Sequence, residues 1–126
     1  MRSAFEGRLL NDAEAMAPFQ TDWRRKWTGQ ALAVAQPDTT EGVAAVLRWC
    51  RAQGVAVVPQ GGNTGLSGGA TPAQGRSLVL STTRLQRIRA LDAVGQTVTA
   101  EVGVTLQQLQ DAAREAGRLF PLSLAA

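Results

Sequence analysis

The sequence contains no histidine and no tyrosine, and its one cysteine is Cys50. A lone cysteine excludes an internal disulfide framework, and without histidine a zinc site would lack its usual ligands. We therefore expect no metal site and a reducing, cytoplasmic setting. No apolar run approaches the ~20 residues that cross a membrane, and residues 1–10 lack the apolar core of a signal peptide, so no transmembrane segment is expected.

The charges are mixed along the chain, with 13 Lys and Arg against 10 Asp and Glu, and the formal net charge is +3. Because the basic residues are scattered, this small excess weakly favours an anionic ligand and does not indicate a nucleic-acid partner. A chain of 126 residues has the size of one domain. Such a domain buries roughly two-thirds of the surface of its unfolded chain.

The first half of the chain predicts a strand, a helix and a second strand. The apolar run 31–37 ends at a proline, and a helix follows that Asp38 or Thr39 can cap and Gly54 can close. Residues 55–59, VAVVP, do not alternate, which predicts a strand buried on both faces and a right-handed βαβ unit. The apolar face of the helix contains Val43, Val46, Leu47 and Cys50.

The second half predicts a further buried strand at 77–82, SLVLST, and then an antiparallel hairpin with its turn near Gly95. A helix begins at Thr105, where Gln108 completes a capping box, and ends at Gly117. Its inward face contains Leu106, Leu109, Ala112, Ala113 and Ala116. The elements together predict an α/β fold, with a small parallel βαβ subdomain and the start of an antiparallel one.

Residues 61–69, GGNTGLSGG, contain five glycines directly after the predicted strand 55–59. A Rossmann fingerprint would need glycine at Asn63 or Thr64, and a Walker A loop would need a lysine, but Lys26 is the only one. Glycines at the end of such a strand allow positive φ, so that successive N–H groups converge on a phosphate, with Asn63 and Thr64 as side-chain donors. The alternative is a plain connection between two strands, which would need fewer glycines.

Residues 57–69, VVPQGGNTGLSGG, with 105–124 downstream, resemble the FAD-binding domain of FAD-linked oxidases of the vanillyl-alcohol oxidase/p-cresol methylhydroxylase type. Within that type, the sequence resembles D-lactate and D-2-hydroxyglutarate dehydrogenases and the glycolate oxidase D subunit. The resemblance implies FAD as cofactor, held at its pyrophosphate by backbone amides, and a chain that turns back along the flavin at Pro121. The residues implied for the pyrophosphate are Pro59, Gln60, Gly61, Gly62, Asn63, Thr64, Gly65 and Leu66.

The resemblance also implies the activity of the parent protein, which is FAD-dependent oxidation of a D-2-hydroxy acid (D-lactate, D-2-hydroxyglutarate or glycolate) to the 2-oxo acid. The electron acceptor is not indicated. Members of the family continue into a second flavin loop and a substrate domain. We therefore expect an N-terminal fragment, with an arm at 1–30 and a partial FAD-binding domain at 31–126, that has no catalytic residues and is inactive alone.

A non-catalytic nucleotide- or phosphate-binding module is the alternative function. It would need aromatic side chains interleaved with basic ones to stack bases, and the three Trp and three Phe lie mostly away from the glycine-rich segment. Two further interpretations concern single side chains. Cys50 is predicted to be buried and unreactive, and Arg84, Arg87 and Arg89 are predicted to be exposed along a strand edge.

Overall fold

A mixed four-stranded sheet organises the first two-thirds of the chain in the computed structural model, which describes residues 5–73 and 75–124. Its strands are β1 (Gly7–Leu10), β2 (Val34–Pro37), β3 (Ala56–Gln60) and β4 (Ser77–Ser81), in the order β1-β2-β4-β3. The helices are α1 (Ala13–Gln20), α2 (Thr40–Gln53) and α3 (Leu106–Glu115), and β5 (Ile88–Asp92) and β6 (Thr97–Ala100) form an antiparallel hairpin. The α/β class and the hairpin are as predicted.

The predicted βαβ unit is present, but its two strands are not neighbours. β2 and β3 both pair with β4 in parallel, so β4 lies between them and β3 is an edge strand. The prediction that residues 55–59 are buried on both faces is therefore wrong, since Ala56 and Pro59 are exposed. Every residue of β4 is buried. Pro59, which has no N–H to donate, fits an edge position.

Both faces of this sheet carry a helix. On one face, α2 covers a core of Ala33, Ala35, Val46, Cys50, Val55, Leu78 and Leu80. On the other face, Met16 of α1 packs on Val34 and Val79, whose side chains alternate with those of the first core. Residues 7–20 thus supply one strand of the sheet and a helix that packs on it. The division into an arm at 1–30 and a domain at 31–126 stays a prediction.

The caps of α2 are those read from the sequence. The Thr39 hydroxyl accepts the Gly42 N–H at 3.0 Å, and Gly54 closes the helix at φ 62°. Cys50 is buried as predicted, and burial raises the pKa of its thiol. Leu47 is 43% exposed, so the predicted apolar face was too wide at that position.

The capping box of α3 is also confirmed. The Gln108 N–H donates to the Thr105 hydroxyl at 3.3 Å, and the Thr105 N–H donates to Gln108 Oε1 at 2.8 Å. The residues predicted to face inward are only half-buried, because no second layer covers α3 among residues 5–73 and 75–124. In the β5–β6 turn, Asp92 Oδ1 accepts the N–H groups of Val94 and Gly95.

Candidate cofactor-binding site

An irregular, largely exposed segment leaves the edge strand β3 at Gly61 and returns toward β4. Within the described part of the chain, the backbone N–H groups of residues 61–66 donate to no protein acceptor. A Cβ built on Gly61 or Gly62 meets no atom closer than 3.8 Å, and one on Gly65 meets nothing within 4 Å. We call residues 61–66 the glycine loop. Unpaired backbone donors of this kind can bind an anion.

The first three glycines of the glycine loop do not adopt a conformation that requires glycine. Gly61, Gly62 and Gly65 do not have positive φ, whereas Asn63 has φ 55° and Gly68 has φ 74°. The expectation that the early glycines provide positive φ was therefore wrong. Asparagine tolerates the left-handed region better than most residues, which frees the glycines for another use. Because Gly61, Gly62 and Gly65 have no side chain, a ligand can approach the backbone N–H groups of the glycine loop closely.

Two side-chain amides fix the start of the glycine loop. Asn63 Nδ2 donates to the carbonyls of Pro18 at 3.1 Å and Thr21 at 2.8 Å. Gln60, which is 2% exposed, donates through Nε2 to the carbonyls of Phe19 and Ala70, both at 2.9 Å. The prediction that Asn63 adds a side-chain donor for phosphate is thus wrong, because both of its amide hydrogens are used within the protein.

A cleft of about 670 Å³ borders the glycine loop at Gly62 and Asn63. Its other walls are the C-terminal turn of α1 and the turn that follows, where Trp23 and Arg25 contribute side chains. That turn is held by Asp22, whose Oδ1 accepts the N–H groups of Lys26 at 2.7 Å and Trp27 at 2.9 Å. The cleft therefore combines a cation, an exposed indole and open backbone donors.

Pro121 does not line the cleft beside the glycine loop. It lines a separate groove of about 460 Å³ between the β5–β6 hairpin and the segment after α3, and this groove includes none of residues 59–66. Arg118 helps to close it, since its Nε donates to the Ala93 carbonyl at 2.8 Å. A contact between Pro121 and the flavin stays a prediction, as do the assigned roles of Pro59, Gln60 and the glycine loop.

A charge cluster that the sequence did not reveal joins the hairpin to α2. Glu101, whose side chain is 4% exposed, accepts from Arg87 Nε at 2.9 Å and from Arg89 Nη2 at 3.1 Å, and Arg89 also donates to Thr40. The hydrogen bond from the Arg87 backbone N–H, followed by those from the guanidinium groups of Arg87 and Arg89, lowers the pKa of Glu101 against the opposing effect of its burial. Arg84, Arg87 and Arg89 are exposed as predicted. Arg84 also forms an ion pair, with its Nη2 3.5 Å from Asp38 Oδ2.

In residues 5–73 and 75–124, no cluster of three or more His, Cys, Asp or Glu is arranged to hold a metal ion. Over the same residues, no helix has the length and apolar character needed to cross a membrane.

In sequence, the chain is similar to D-2-hydroxyglutarate dehydrogenases. D-2-hydroxyglutarate dehydrogenase from Xanthomonas citri pv. viticola is 46% identical over 119 residues, which cover 94% of this chain and 25% of that protein. The mitochondrial D-2-hydroxyglutarate dehydrogenase of Danio rerio is 34% identical over 125 residues, covering 99% of this chain and 23% of the relative. The chain thus spans about a quarter of the length of these curated relatives.

Solved structures confirm the predicted fold. p-Cresol methylhydroxylase with substrate bound aligns at a TM-score of 0.76 with 22% identity, over 94% of this chain and 24% of that one. 6-Hydroxy-D-nicotine oxidase from Arthrobacter nicotinovorans aligns at a TM-score of 0.77 with 20% identity, over 90% of this chain and 24% of that one. The sequence pattern of a family described as an FAD binding domain matches residues 31–126. With this match over three-quarters of its length, the chain belongs to the FAD binding domain family, and its cofactor is FAD.

Proposed function

We propose that the glycine loop binds the pyrophosphate of FAD in a flavin-dependent dehydrogenase of D-2-hydroxy acids. The observation that carries this proposal is the run of N–H groups at residues 61–66 that have no acceptor in the described protein, beside glycines at which a Cβ would meet no atom closer than 3.8 Å. Hydrogen bonds from N–H groups to a charged phosphate are shorter and stronger than bonds between neutral groups. Several such bonds on one short segment suit a ligand with two adjacent phosphates.

The residues named from the sequence divide into two roles. Gly61, Gly62, Asn63, Thr64, Gly65 and Leu66 each offer a backbone N–H, and the exposed Thr64 hydroxyl can add a further donor. Pro59 has no N–H, and the Gln60 side chain points into the protein. We assign these last two residues to placing the loop. Arg25, across the cleft from Gly62, attracts the phosphates at longer range.

The substrate proposal follows from the relatives. The proteins from Xanthomonas citri pv. viticola and Danio rerio are named as D-2-hydroxyglutarate dehydrogenases, and one from Schizosaccharomyces pombe as a putative D-lactate dehydrogenase. Among D-2-hydroxyglutarate, D-lactate and glycolate, these names favour the first. FAD, when bound, accepts a hydride from the carbon that bears the hydroxyl group. This chain's own residues bind and orient the cofactor, in the FAD-binding part 31–126.

Two further features stay proposals. We keep the division into an arm at 1–30 and a domain at 31–126, although β1 is a strand of the sheet and α1 packs on it. We keep a cytoplasmic location on the evidence of the single cysteine, whereas the relatives from Danio rerio and Bos taurus are named as mitochondrial.

The test is an NMR titration of the ¹⁵N-labelled chain with FAD and, separately, with riboflavin, which has the same ring system and no phosphate. We expect FAD, up to millimolar concentration, to shift the amide signals of residues 61–66. Riboflavin should leave those signals in place, because the proposed contacts are to phosphate. FAD-induced shifts that are absent from residues 61–66, or equal shifts with riboflavin, would contradict the proposal.

A further inference from the structure

The glycine loop and helix α1 are joined by side-chain amides that neither element needs for its own secondary structure. Asn63 Nδ2 bonds the carbonyls of Pro18 and Thr21, and Gln60 Nε2 bonds that of Phe19. Pro18 and Phe19 lie in the last turn of α1, where helical carbonyls have no partner within the helix, and Thr21 is the residue that follows it. The donors therefore complete the helix end and fix the loop to it at the same time.

α1 is a firm support because it is itself anchored. Its Met16 is buried against Val34 and Val79 of the sheet, and Asp12 caps its first turn by accepting the Ala15 N–H at 2.8 Å. An isolated helix of eight residues is marginal in water, so these contacts hold it in place. The loop is thus tied to the sheet through α1.

The side-chain hydrogen bonds of Asn63 also fix its own backbone conformation. Its φ of 55° is in the left-handed region, which a residue with a Cβ adopts at some cost. Two bonds from its side chain to carbonyls of another element hold it there. The direction in which the neighbouring N–H groups point is therefore determined by the protein before any ligand binds.

We propose that Gln60 and Asn63 are positioning residues that order the glycine loop for phosphate before FAD binds, which makes the C-terminal end of α1 part of the cofactor site. The proposal rests on the function proposed for the loop. A flexible loop must lose conformational freedom when it binds, and a loop that is already ordered binds more tightly for the same contacts. The effect on affinity is exerted through the order of residues 61–66, without contact between either amide and FAD.

The experiment compares wild type with Asn63→Gly and Gln60→Met in the full chain. Glycine removes the two bonds of Asn63 but adopts φ 55° without strain, and methionine keeps the volume of Gln60 without its donors. The matched controls are Asn11→Gly and Gln53→Met, at exposed positions that make no side-chain hydrogen bond in the described residues. The measurements are ¹⁵N order parameters of residues 61–66 without ligand, the Kd for FAD from the chemical-shift titration, and the thermal midpoint.

We expect order parameters of about 0.8 across the loop in wild type and controls, and below about 0.6 in the two variants. The Kd for FAD should rise about tenfold in each variant, since each loses two hydrogen bonds. Asn63→Gly should keep a folded spectrum, because the side chain is not fully buried. If Gln60→Met does not fold, the Asn63→Gly and Asn11→Gly pair decides the result.

Wild-type order in the loop of Asn63→Gly would overturn the proposal, whatever FAD does. A disordered loop with an unchanged Kd would overturn the positioning role. If FAD shifts no loop signal even in wild type, the function proposed for the loop fails, and with it the link to FAD. The order parameters then still show whether the amides fix the loop.

Discussion

The indole of Trp27 lies directly against Gly68, so that a Cβ built on Gly68 would stand 2.8 Å from the indole Cγ. Gly68 also has φ 74°, which disfavours any residue with a side chain. The glycine-rich segment therefore has two kinds of glycine. A Cβ would meet nothing within 4 Å at Gly65 and Gly69, and no atom closer than 3.8 Å at Gly61 and Gly62. At Gly68 the space for a Cβ is filled by Trp27.

The difference between adjacent glycines gives a first prediction. We expect Gly68→Ala to lower the free energy of unfolding by about 1–3 kcal/mol, because the methyl group must displace the indole and the backbone is strained. Gly69→Ala is the matched control, since a Cβ there meets nothing within 4 Å and its φ is not positive. Urea unfolding followed by Trp fluorescence measures both. Equal stabilities of the two variants would show that Trp27 does not pack on Gly68.

The second prediction concerns Gly62. A Cβ there meets only Thr64 Cγ2, at 3.8 Å, so Gly62→Val should fold with a stability within about 0.5 kcal/mol of wild type. The branched side chain would occupy the space that the pyrophosphate needs, and we expect the Kd for FAD to rise by at least about tenfold. The NMR titration measures this, with Gly69→Val as the control. If Gly62→Val bound FAD with the wild-type Kd, Gly62 would not be part of the FAD site.

Features set by neighbouring residues in the chain could be predicted from the sequence. The cap of α2 at Thr39 depends on a hydroxyl three residues before the N–H that it accepts, and the close at Gly54 depends on one residue type. The glycine loop could be identified in the same way, from composition and from its position after a strand. In each case the partners lie within a few positions along the chain.

Features set by distant partners could not be predicted. The edge position of β3 depends on where β4 inserts, and no local pattern encodes this order. The roles of Gln60 and Asn63 depend on carbonyls 41–45 residues away. Asn63 was predicted to donate to phosphate because an exposed amide suits one, and only the position of α1 shows that its hydrogens are already used.

The third prediction concerns pH. The pKa of Glu101 is lowered in the folded protein, chiefly by the Arg87 N–H, so ionised Glu101 stabilises the fold at any pH above its unfolded-state value of about 4.3. That contribution is lost as the pH falls through the folded-state pKa. We expect Glu101→Gln to be less stable than wild type at pH 7, with a smaller difference at pH 3.

Urea unfolding at the two pH values tests this, and Glu115→Gln is the control because Glu115 is exposed and forms no ion pair in the described residues. A stability difference between wild type and Glu101→Gln that is the same at pH 7 and pH 3 would show that the negative charge of Glu101 does not stabilise the fold.

The fourth prediction is that the 126-residue chain binds FAD with a Kd above about 1 μM and shows no dehydrogenase activity. The contacts proposed for the glycine loop reach only the pyrophosphate of a long ligand, and the groove at Pro121 is separate from the loop. Hydride transfer also needs a base for the substrate hydroxyl, and the chain has no histidine. Asp22 in the cleft accepts two backbone N–H groups through Oδ1, and its buried Oδ2 has no hydrogen-bond partner in the described residues. The assay is dye reduction with D-2-hydroxyglutarate or D-lactate and added FAD, with Gly62→Val as the background control. Binding below 1 μM together with turnover above that background would contradict this prediction, and Asp22, the carboxylate in the cleft, would be the first residue to substitute in a search for the base.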